Sequence, residues 1–135
     1  MSKSVSTFIE ELQAWAPRSE CRLVVLFGSQ VRGGAGPARD IDLALDFGML
    51  PPPERRLAII DELQQLAHPT PVDVVFLHAG TSPVLRFEIF RGGEPIFERE
   101  PDLFLKETVR AIGQYEDAIP FRRARERLVL EGLTS

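Results

Sequence analysis

Apolar positions recur along this chain at two periods, and each period predicts a kind of element. Between Thr7 and Ala16, Phe8, Ile9, Leu12 and Trp15 are spaced as on one side of a helix, with Pro17 as the stop. Arg22 to Phe27 is a short continuous apolar run ending at Gly28-Ser29, the pattern of a buried strand. Gly33, Gly34, Gly36 and Pro37 mark a loop. From Ile41 to Phe47 the pattern alternates. Ile41, Leu43 and Leu45 fall on one side of a strand, and Asp40, Asp42 and Asp46 fall on the other with Ala44.

After the break at Pro51-Pro52-Pro53, helical spacing returns over Glu54 to Leu66, through Leu57, Ile60, Leu63 and Leu66. Pro69 and Pro71 end it. Val72 to Leu77 reads as a third strand, Val84 to Phe90 as a helix, and Pro95 to Phe97 as a short strand after the Gly92-Gly93 turn. Pro101 to Gly132 predicts one long helix, or two with a break at Pro120. Mixed order of this kind implies an α/β or α+β fold, a small mixed β-sheet flanked by helices. Residues 1–135 suffice for one domain, with a C-terminal helical segment at about 101–132.

Composition removes several classes of function. With 16 Lys and Arg against 20 Asp and Glu, the net charge is −4, unlike proteins that coat nucleic acid or anionic membranes. No direct nucleic-acid binding is expected. Cys21 is the sole cysteine, so an internal disulfide is excluded, and with only His68 and His78 it cannot form a zinc site. No apolar run approaches the ~20 residues of a bilayer span, and MSKSVSTFIEE has no signal-peptide core. A soluble, cytoplasmic protein is the expectation.

The candidate chemistry lies between Leu26 and Asp46. Gly28-Ser29 closes one strand, ten residues follow, and Asp40-Ile41-Asp42 opens the next. Residues two apart on a strand share a face, so Asp40 and Asp42 repel unless a cation neutralises them or one is protonated. Hard carboxylate oxygens suit Mg²⁺, which commonly takes one or two carboxylates plus substrate phosphates. Asp73 joins the pair if the second and third strands are adjacent, and three carboxylates would allow two ions.

Glycine lets a backbone approach phosphate closely, and N–H groups and a Ser hydroxyl can hold phosphate oxygens. Neither the P-loop nor the dinucleotide fingerprint is present. Arg32 could reach a phosphate or could equally be a surface arginine. Asp46, about 13 Å further along the strand, is expected outside the site. His68 and His78 read as surface residues, and Tyr115 as a packing residue. The run Arg122, Arg123, Arg125 and Arg127, interleaved with Glu126 and Glu131, reads as a solvated helix face.

Gly28-Ser29 followed by Asp40-x-Asp42 resembles the signature of the DNA-polymerase-β-like nucleotidyltransferases. Arg32-Gly33 and Asp40-Ile41-Asp42-Leu43 are similar to the minimal nucleotidyltransferase (MNT) branch, and FEIFRGGEPIFERE resembles the segment that closes those domains. Arg39 departs from the pattern, which often has Ser there, and adds a cation beside the acids. The resemblance implies a polymerase-β-like fold and a Mg²⁺-dependent transfer from ATP. Gly28, Ser29 and Arg32 would bind the nucleotide, and Asp40, Asp42 and Asp73 would bind metal and catalyse.

The resemblance further implies an antitoxin that transfers AMP to a small helical HEPN-type toxin, with a homodimer or hetero-oligomer as the assembly. About sixty residues follow Asp73, few for a separate acceptor-binding domain. An aminoglycoside-type enzyme acting on a small molecule is therefore the less favoured alternative. A non-catalytic antitoxin acting by contact is the third reading.

Overall fold

The computed structural model describes residues 5–28 and 40–134, and side chains as far as Pro120 together with Arg125, Arg127 and Leu128. The elements in chain order are α1 (Val5–Arg18), β1 (Leu23–Phe27), β2 (Ile41–Asp46), α2 (Pro53–Ala67), β3 (Val72–Leu77), α3 (Pro83–Gly92), β4 (Glu94–Glu98) and α4 (Leu103–Thr134). Every predicted element is present.

One proline behaves differently from the expectation, and a second decides between two open readings. Pro17 lies inside α1, which continues to Arg18. A proline in the last turn forfeits one backbone hydrogen bond, and the turn closes instead through Ser19 N–H to Trp15 and Ala16 oxygens at 3.1 and 3.2 Å. Pro120 lies inside α4, which runs on as one helix rather than two.

The four strands form one mixed sheet in the order β3-β2-β1-β4. β1 is antiparallel to both β2 and β4, whereas β2 and β3 are parallel. Parallel neighbours need a crossover, and α2 provides it.

Alternation along the strands divides the core into two layers. Val24, Leu26, Ile41, Leu43 and Leu45 pack with Phe8, Leu12 and Trp15 of α1 and Ile59 and Leu63 of α2. Leu23, Val25, Ala44 and Leu77 pack with Ile89 and Phe90 of α3 and Leu103 and Ala111 of α4.

Polar contacts tie the helices together in pairs. Trp15 Nε1 donates to Glu62 Oε2 at 3.0 Å, joining α1 to α2. Between α3 and α4, Arg86 lies 3.7 Å from Glu107, both side chains only 9% exposed, and donates to the His78 carbonyl at 2.8 Å. Among the described residues no helix is long and apolar enough to cross a membrane.

Candidate active site

The strand register decides which acids meet. Asp42 of β2 stands directly beside Asp73 of β3, each second in its strand. Ala44 belongs to the core layer under α3 and α4, as do Val75 and Leu77. Period-two alternation therefore points Asp42 and Asp73 to that same face of the sheet. Asp40, immediately before β2, is exposed.

On the other side of Asp42, the register partner in β1 is Phe27, followed by Gly28. Gly28 has φ +82°, and a Cβ there would overlap the Asp42 carboxylate. The glycine is thus required twice over, by its backbone angle and by the acid pressed against it.

The electrostatics follow from this placement. Partial burial raises the Asp42 carboxyl above its ordinary value, and the like charges of Asp73 and then Asp40 raise it further. Phe27 was not anticipated as part of the site. As the cross-strand neighbour of Asp42 it presents an apolar ring on the same face, half-buried against the α3–α4 layer. The signal lay in the sequence as the last residue of the first apolar run, but only the register shows which acid it faces.

A half-buried carboxylate crowded by two others is a good receptor for a divalent cation. Among the described residues, no group of three His, Cys, Asp or Glu side chains stands ready to enclose an ion. An open arrangement suits Mg²⁺, which keeps several waters and completes its shell with substrate phosphates. Asp42 and Asp73, with exposed Asp40 nearby, offer hard carboxylate oxygens of the kind such an ion takes.

Ser29, Arg32, Arg39 and the Gly33–Pro37 loop lie outside the described residues, as do the side chains of Arg122, Arg123, Glu126 and Glu131. Asp46 stands at the other end of β2, 3.7 Å from Arg22, and accepts from Gly48 N–H at 2.7 Å. Tyr115 stacks on Phe87 with ring centroids 4.1 Å apart. His68 is exposed, and His78 Nδ1 accepts from Gly80 N–H at 3.0 Å. A shallow cleft of about 440 Å³ between the 79–83 loop and Gln114, Asp117 and Ala118 is separate from the acids. Its loop follows the C-terminal end of β3, whereas Asp73 is near the N-terminal end.

Residues 10–102 match the family model of Polymerase beta, Nucleotidyltransferase. The chain belongs to this nucleotidyltransferase family. The match takes in Gly28, Asp40, Asp42 and Asp73 together with the whole sheet.

Among solved structures, the fold is similar to a toxin–antitoxin crystal structure with AMP-PNP, at TM-score 0.71 and 19% identity, covering 94% of this chain and 98% of the other. A second is an MNT antitoxin in complex with a tri-AMPylated HEPN toxin of Shewanella oneidensis. It gives TM-score 0.67 and 20% identity over 96% and 98% of the two chains. A third, the toxin–antitoxin pair MntA-HepT, gives TM-score 0.68 and 17% identity over 96% and 99%. No curated protein matches the chain by sequence.

Proposed function

We propose that this nucleotidyltransferase transfers AMP from ATP to a hydroxyl of a partner protein, as the antitoxin of a pair with a HEPN-type toxin. The observation that carries the reading is the in-register pairing of Asp42 with Asp73 beside Gly28. The described similarity to an antitoxin bound to an AMPylated toxin supports the choice of donor and acceptor.

In this mechanism Gly28 and Ser29 hold the triphosphate tail, and Arg32 adds a cation to it. Asp40, Asp42 and Asp73 would hold Mg²⁺, which would supply neutralisation of phosphate charge. Asp73 is exposed and so able to meet an incoming acceptor, and it takes the hydroxyl proton. The hydroxyl oxygen forms a bond to the α-phosphorus as the bond to the β-phosphate oxygen breaks, and pyrophosphate leaves with that electron pair. Positioning and charge neutralisation dominate such a transfer.

The test is incubation with ATP labelled at the α-phosphate, Mg²⁺ and a HEPN-type partner. Label should enter the partner protein, and Asp42→Asn and Asp73→Asn should each abolish it. Label entering an aminoglycoside but never protein would overturn the acceptor assignment. Full neutralisation of the toxin by an Asp40→Ala/Asp42→Ala protein would show that contact, not chemistry, is the mechanism.

A further inference from the structure

Helix α4 carries a second feature that the transfer reaction does not use. Leu105, Val109 and Ile112 are 61%, 63% and 41% exposed. With Glu116 and Ile119 they follow at intervals of four, three, four and three residues, the spacing of a coiled-coil seam. At ~100° per residue this stripe lies on the side of α4 away from buried Leu103, Glu107 and Ala111.

Gly113 is the second observation. It lies inside the helix beside the stripe, and a Cβ there would meet nothing within 4 Å. Glycine at such a position costs about 1 kcal/mol relative to alanine, and no neighbour in the described chain requires it. A second helix crossing at close range would.

We propose that α4 is a self-association surface, on which a second copy of this chain docks antiparallel. The charge order selects this occupant. Lys106 and Arg110 lie toward the start of the stripe, and exposed Glu116 and Asp117 lie toward its end. A two-fold axis near residue 111 reverses one helix against the other. It sets Val109 over Gly113 of the second copy, brings the two Ile112 side chains together, and places Lys106 opposite Glu116 and Asp117. A parallel arrangement would instead stack like charges. Only a few apolar side chains per copy would enter the contact, so the dimer is weak and is loosened further by salt.

Sedimentation equilibrium of the full chain tests this. The weight-average mass should rise from 15.1 kDa toward twice that value between about 5 and about 500 µM, a range suited to a small interface. Val109→Glu and Ile112→Arg, both on the exposed face, should each remain monomeric with an unchanged circular dichroism spectrum. Lys106→Glu should weaken association several-fold, and Lys106→Glu/Glu116→Lys should restore it. A wild-type chain that stays monomeric throughout overturns the proposal, as does a Val109→Glu protein that dimerises normally. Loss of HEPN-type partner capture by Val109→Glu, with no wild-type self-association, would assign the stripe to that partner instead.

Discussion

Gly28→Ala is the sharpest perturbation of the site, because the structure separates its two consequences. The first is backbone strain. Gly28 has φ +82°, and placing a side chain in that region costs roughly 1–2 kcal/mol. For a domain of this size, that lowers the melting temperature by roughly 4 to 8 °C. The second is displacement. The new methyl overlaps the Asp42 carboxylate, which must swing aside by about an ångström, and misplacement on that scale costs about 100-fold in rate.

Gly48→Ala is the internal control. Gly48 has φ +85°, but its Cβ would meet only the Arg22 Cδ, at 3.3 Å, the middle of a flexible side chain. This variant should show a similar melting shift with unaltered transfer. Thermal melts and α-phosphate label transfer, run on both proteins, make the comparison. The reasoning is refuted if Gly28→Ala transfers within about threefold of wild type, or if Gly48→Ala loses as much.

Three further outcomes follow from the same geometry. The raised Asp42 carboxyl means that its ionised form is disfavoured in the folded protein, a cost fully present above the raised value and lifted as pH falls through it. Without divalent cation, Asp42→Asn should therefore melt higher than wild type at pH 7, with the difference closing below the ordinary carboxyl value of 3.8. Glu107→Ala strands the buried Arg86 and should cost about 3–5 kcal/mol in urea unfolding, while Arg86→Met/Glu107→Leu should recover most of it. Burial pushes the Cys21 thiol up to about 11, so iodoacetamide should label it in denaturant and hardly at all in the native protein at pH 8.

Local patterning carried the elements a long way. β3 begins and ends where its apolar run does, and the alternation of β2 correctly separates Leu43 and Leu45 from Asp42 and Asp46. The prolines were harder to read: the local pattern makes Pro17 a stop, and at Pro120 it allows one helix or two. Proline forbids one backbone hydrogen bond, but whether a helix ends there depends on what packs on either side. Neither Pro17 nor Pro120 terminates its helix.

By itself, then, the sequence determined the kind and order of the elements and the alternation of β2, and it singled out Gly28, Asp40, Asp42 and Asp73 as candidates for phosphate and metal chemistry. These are local properties, governed by backbone period and side-chain polarity. On α2 the spacing missed that Leu57 is exposed and Ile59 is the core residue. The adjacency of the acids was not local. Asp42 and Asp73 are separated by the whole of α2, and only the crossover that brings β3 parallel to β2 sets them side by side. The same holds for Phe27, whose partner is chosen by the β1–β2 register, and for Gly28, whose need to be glycine comes from a carboxylate on another strand. Strand pairing is a long-range choice made by the packing of both layers at once, and it turned three scattered acids into a neighbourhood.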